Sequence, residues 1–198
     1  MRCLYYLFIL LICSACESAQ LRTERAIVDC YNESSENPWN ETWRLQAGYQ
    51  VIPRYLKRLG QLERTNLEDY RLLIKNLKEQ RGDFPFDEYY KAVAVPFPEI
   101  NRPSVMASLI LCPVEVLGNN KEALDPVFEQ WTQQLQQLED IGKVDPDKLL
   151  DLIDLAGSVH FKKEAFRMPI IIFLHHYLCS RASEEVRNLD DKPLEDYQ

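Results

Sequence analysis

The sequence predicts an all-α protein, a single irregular multi-helix domain with one short strand in its proline-rich middle. Three observations carry that prediction. Apolar residues recur at spacings of three and four through most segments after Leu45. Helix-opening signals recur as well, two of them the Asp-Pro pairs at 125–126 and 145–146. The chain has 198 residues, and without an N-terminal leader about 180 remain, enough for one core that buries roughly 70% of the unfolded surface.

The leader is read from Arg2, the apolar run Leu4 to Cys13 and the small residues after it. Together these predict a secretory signal peptide within residues 1–19, cleaved after Ala15 or Ser18. Cleavage after Ala19 would put Glu17 where a small residue is preferred. The run is too short to span a membrane, and no later segment reaches about 18 uncharged apolar residues, so no stable membrane insertion is expected. The mature chain is therefore expected to be secreted and extracellular, in an oxidising setting.

The cleavage point decides the cysteine count. A cut after Ala15 leaves Cys16, Cys30, Cys112 and Cys179, which can all pair internally; a later cut leaves three, and one thiol for a disulfide-linked dimer. Cys112 and Cys179 both lie in apolar segments bound for the core and are the expected bridge. Cys30 lies in a polar stretch and is the candidate for a second pairing. Asn32-Glu33-Ser34 and Asn40-Glu41-Thr42 are glycosylation acceptors, with Asn32 and Asn40 as the modified residues.

Along the chain, residues 20–41 read as a polar N-terminal arm, 42–180 as the helical domain and 181–198 as an acidic flexible tail. Leu45, Tyr49, Ile52, Leu56 and Leu59 share one side of a helix, which Pro53 either kinks or divides. Gly60 permits a turn. Thr65 and Glu68 then resemble a capping box before the stripe Leu67, Tyr70, Ile74 and Leu77, whose helix ends near Gly82. Phe84-Pro85-Phe86 and Val95-Pro96-Phe97-Pro98 break regular structure, and Lys91 to Val95 alternates as a short strand would. Pro103 to Cys112 reads as a short buried helix.

After Asp125-Pro126 come Phe128, Trp131, Leu135 and Leu138, with Gly142 as the exit. After Asp145-Pro146 come Leu149, Leu152, Ile153 and Ala156, with Gly157 as the stop. Phe166, Ile170, Phe173 and Tyr177 form the last stripe, and Pro169 either opens a fresh helix or bends a longer one. The tail carries six acids against two bases between residues 184 and 198.

Composition narrows the function classes. The formal charge of −8 argues against a general nucleic-acid binder. His175, Cys179 and His160 could form a zinc set with a carboxylate, but the adjacent His175 and His176 point apart on a helix and Cys179 is a disulfide candidate. Asp147, Asp151 and Asp154 share a helix side without the glycine and oxygen spacing of a calcium loop. Catalytic motifs are missing, and a triad from His160, Asp154 and Ser158 has nothing to align it. Neither enzymatic activity nor a cofactor is expected.

Recognition is the better-supported class. Arg44, Arg54, Lys57 and Arg58 form a basic segment between Thr42 and Leu62 that contains no acid, suited to an anionic partner or to the acidic tail. Arg81-Gly82-Asp83 resembles the Arg-Gly-Asp motif of integrin ligands, which implies a basic and an acidic group presented together to a receptor. Tyr89, Tyr90 and Tyr197 lie near carboxylates and suit binding surfaces or sulfation. The expected function is extracellular protein–protein interaction with a protein or receptor, as modulator or ligand. The alternative is a carrier of a small apolar ligand such as a fatty acid, held where the helical stripes fail to meet.

Overall fold

The apolar stretch Ala165 to Cys179 becomes the central helix. The computed structural model describes residues 19–34, 45–119, 126–138 and 144–188, and among these there is no strand. In chain order the helices are α1 (Ala19–Ser34), α2 (Leu45–Gly48), α3 (Val51–Arg58), α4 (Leu67–Lys78), α5 (Phe86–Tyr89), α6 (Pro103–Asn119), α7 (Pro126–Gln136), α8 (Pro146–His160), α9 (Glu164–Ser180) and α10 (Glu184–Arg187). A π turn, Tyr90–Ala94, continues α5, and a 3₁₀ turn, Pro98–Asn101, precedes α6.

Helix α9 is apolar around most of its circumference and is accordingly enclosed over most of its length. Phe166, Met168, Ile170, Ile172, Phe173, Leu174 and His175 are fully buried. Helices α1, α3, α5 and α8 and the π turn pack around it; α6 lies against α1 and α7, and α4 against α8. Aromatic rings fill the junction of α7 with α9, where Phe128 and Trp131 lie 4.5 and 4.9 Å from the Phe166 ring.

Pro169 sits inside α9 without ending it. Its missing N–H leaves the carbonyl of Ala165, four residues earlier, without its helical donor. The Tyr31 hydroxyl of α1 donates to that carbonyl at 3.3 Å. The proline thus creates the acceptor that fixes α1 to the central helix. Pro53 is tolerated differently: it is the third residue of α3, where the N–H has no intrahelical acceptor in any case.

Local signals set the other boundaries. Asn66, one residue after the expected Thr65, caps α4 by accepting from the Asp69 N–H at 2.9 Å, while the Asp69 carboxylate accepts from the Arg64 N–H. Asp145 caps α8, accepting from Asp147 N–H at 2.9 Å, with Pro146 in the first position. Gly60, at φ 71°, takes the left-handed exit of α3. The exit of α4 is taken by Gln80, at φ 52°, two residues before Gly82. Gly157, at φ 57° and ψ −178°, interrupts α8 as a kink. Asp125 and Gly142 lie outside the described residues.

Four expectations are corrected. Residues 20–34 are no polar arm but most of α1, which buries Thr23, Glu24, Ile27 and Tyr31. Its stripe mixes polar residues with apolar ones, and Glu24 is offset by an ion pair with Lys163, so hydrophobic periodicity is weak there. Lys91 to Val95 is no strand: the π turn buries Tyr90, Val93 and Ala94 together. The bridge is Cys30–Cys112 rather than Cys112–Cys179, because α1 packs along α6 with the two Cα atoms 5.7 Å apart. Cys179 remains a buried thiol beside His175. Finally, residues 181–188 belong to the folded body: Ala182 and Val186 are buried, and Asp87 accepts from the Ser183 N–H and hydroxyl at 2.7 and 2.9 Å. The leader, Cys16, Asn40, Arg44, Tyr197 and the acids from Asp190 onward lie outside the described residues.

The Tyr31 contact predicts a non-additive pair. Tyr31→Phe should cost roughly 1–3 kcal/mol by orphaning a buried carbonyl, and measurably less in a Pro169→Ala background, where the substituted residue supplies a backbone N–H that can serve it; equal costs in urea unfolding of both backgrounds would contradict the assignment. The Cys30–Cys112 bridge spans 82 residues, so Cys30→Ser with Cys112→Ser should lower unfolding free energy by roughly 4 kcal/mol on chain-entropy grounds.

Candidate anion-binding site

Helix α3 buries Ile52 and Leu56, and its helical period turns Arg54, Lys57 and Arg58 to solvent. Arg54 and Lys57, three residues apart, share a side and face α9. They line a concave pocket of about 290 Å³ with Tyr49, Gln50 and Pro53 from the same segment, Thr65 and Tyr70 from the next, and Arg167 and Ile171 of α9. Among the described residues, no acidic one lines it. Arg58 points elsewhere, its guanidinium 5.9 Å above the Tyr55 ring.

Arg167 is set by its neighbours. Its Nη2 donates to the Tyr49 hydroxyl at 3.1 Å, and that hydroxyl donates to Glu164 Oε1 at 3.1 Å. Glu164 lies 3.6 Å from Arg167 directly and takes up part of its charge. The Tyr70 hydroxyl is buried with no hydrogen-bond partner. Burial raises the pKa of Tyr70, with Arg167 acting in the opposite direction, and burial likewise raises that of Tyr49. Both phenols therefore keep their protons near neutrality and stand as hydrogen-bond donors.

The sequence singled out Arg54 and Lys57 but not Arg167, Tyr49, Thr65 or Tyr70. One signal was available for Arg167: it is the only charge between Ala165 and Leu174. The tyrosines gave none, since a tyrosine at helical spacing reads as core.

Arg81, Gly82 and Asp83 stay together and exposed on the wall of a second concavity of about 300 Å³, shared with Gln61, Phe84 and Arg181. Arg81 Nε is paired with Glu79 Oε2 at 2.7 Å. Asn32 lies half-buried near the end of α1. The acidic stripe of α8 is an interhelical device: Asp147 pairs with Lys78, and Asp154 with Arg71 at 2.6 Å, both across the contact with α4. Arg71 also holds Glu68 at 2.8 Å.

The histidines do not converge. His160 lies 4.9 Å from the Phe166 ring, at the far end of α9 from His175 and His176. Among the described residues no group of three or more His, Cys, Asp or Glu is placed to hold a metal ion. His175 shares a 2.8 Å hydrogen bond with the Tyr89 hydroxyl, and its ring lies 3.6 Å from the Cys179 sulfur. His176 bonds to the Ile100 backbone, while its Nε2 has no partner. Comparison with protein-family models, curated proteins and solved structures finds no match to this chain.

Burial lowers the pKa of His175 to about 3 and of His176 to about 4, from an ordinary 6.5. The folded state therefore binds fewer protons than the unfolded chain between these values, and stability is full above about pH 6.5 and falls as pH drops toward 4. Each histidine contributes a slope of up to about 1.4 kcal/mol per pH unit in that window. The urea midpoint should decline from about pH 6.5 to about pH 4.5, and His176→Asn should flatten the decline.

Proposed function

We propose that the chain is a secreted helical protein that acts by binding an extracellular protein or receptor, with the pocket between α3 and α9 receiving an acidic group of that partner. The observation that carries this reading is the convergence of Arg54, Lys57 and Arg167 on a concave site that no acid among the described residues lines, in a chain of formal charge −8. A cationic site of this kind accelerates encounter with an acidic partner and sets its register. The Cys30–Cys112 bridge supports the expectation of export, because disulfides persist in oxidising compartments. No catalytic step forms part of the reading.

Filling of the core weighs against the fatty-acid carrier. The stripes of α3, α7 and α9 would have to stand apart to line a cavity, yet Ile52, Leu56, Phe128, Trp131, Phe166 and Phe173 are buried in one cluster. Organic extraction of the purified protein should yield no stoichiometric lipid.

Arg54→Glu with Lys57→Glu tests the recognition reading. Both side chains are exposed, so circular dichroism and thermal midpoint should be little changed. Against an array of purified extracellular ectodomains at low ionic strength, the wild-type protein should retain a partner with salt-sensitive affinity, and the reversal should weaken that binding at least about tenfold. Unchanged affinity for the retained partner would remove the pocket from the interface.

A further inference from the structure

We infer that the pocket is a subsite for an aromatic sulfate ester, a sulfotyrosine side chain presented by an extracellular peptide segment. This rests on the reading of the pocket as the place where the partner docks, and goes beyond it by naming the group received.

Donor number is the first argument. A carboxylate offers two oxygens, whereas a sulfate ester offers three terminal oxygens that can each accept more than one bond. The pocket is lined by Arg54, Lys57, Arg167, Thr65 and Tyr70, residues that between them carry two guanidinium groups, an ammonium and two hydroxyls. Arg167 is already turned by Tyr49, so its fork is held before a ligand arrives.

The Tyr70 hydroxyl is the second argument. A buried O–H without an acceptor is costly in the folded protein, and a phenylalanine would fill the same space without that cost. An acceptor oxygen entering the pocket would satisfy it. Tyr70 and the cation Arg167 both line the pocket, and the phenol lies just behind its surface.

The walls give the third. Pro53, Ile171 and the rings of Tyr49 and Tyr70 line the same space, so the anion is received on an apolar or aromatic stem. A volume of about 290 Å³ suits one side chain rather than a polymer. The overall charge of −8 repels a long polyanion, while a single charged group is drawn by the local cations. A sulfate ester keeps its negative charge at every physiological pH, and the three cations, one partly taken up by Glu164, supply the complementary charge.

Isothermal titration with N-acetyl sulfotyrosine amide tests the assignment, with the unsulfated amide, the phosphotyrosine amide and inorganic sulfate as the other arms. The sulfated amide should bind at least about tenfold more tightly than the unsulfated amide or inorganic sulfate, because head and stem both contribute. Arg54→Ala should weaken it by a similar factor. Tyr70→Phe should weaken it roughly three- to tenfold, the loss of one hydrogen bond, while leaving the thermal midpoint of the unliganded protein unchanged or higher. Equal binding of inorganic sulfate or of the unsulfated amide, tighter binding of the phosphate, or wild-type affinity in either variant would overturn the assignment. Its failure is distinct from failure of the docking reading: an ectodomain partner lost on charge reversal, with no sulfotyrosine binding, leaves the basic pocket in the interface but empties it of this ligand. Sulfotyrosine binding with a partner insensitive to reversal does the opposite.

Discussion

A helix with apolar side chains around most of its circumference can be stable in water only if other elements enclose it, and the rest of this molecule is organised by that requirement. In the run from Ala165 to Cys179, every residue but Arg167, His176 and Tyr177 is buried. The neighbouring elements, α7 with Phe128 and Trp131 among them, must therefore present apolar faces to it. The short helices α2, α3 and α5 and the π turn occupy stretches where one long helix would not follow the surface. An irregular array results in place of a regular four-helix bundle.

Polar groups placed within this apolar environment make the packing specific. Burial of Phe166 or Ile170 would tolerate many arrangements of α1. A hydroxyl that must meet the carbonyl released by Pro169 tolerates few, because a buried acceptor without a donor is costly. The Cys30–Cys112 bridge fixes the other side of α1 against α6, and the Glu24–Lys163 pair ties α1 to the start of α9. The N-terminal helix, the least apolar of the long ones, is thus held by directional contacts where hydrophobic area is small. The same logic places Arg167 at the edge of the central helix, where Tyr49 and Glu164 engage it and its charge reaches the pocket instead of the core.

How the sequence relates to the outcome is clearest in particular elements. Asp145-Pro146 and Gly60 are legible, because capping and left-handed exits depend on a few adjacent residues. Residues 20–34 are not, because their stripe carries Thr23 and Glu24, whose burial is tolerated only through partners far away in the chain. Alternation at Lys91 to Val95 suggests a strand, yet Tyr90, Val93 and Ala94 all turn to the same core when the backbone coils into a π turn. The cysteine pairing escapes a sequence reading because apolar surroundings say that a residue is buried, not which neighbour it meets. Half of the basic pocket is visible as a run of cations. Its other half, Arg167 and Tyr70, belongs to helices distant in sequence.

The sequence by itself determined the helical class, several helix starts and the exit at Gly60, and the identity of the central segment, since these depend on short-range periodicity and on backbone donors within one or two turns. Tertiary structure decided the partner of Cys30, the role of Tyr31, the pairing of the α8 carboxylates with Arg71 and Lys78, and the meeting of three cations around one unsatisfied phenol. Each of those depends on which faces of different helices come together, and no local pattern encodes a distance between segments separated by tens of residues.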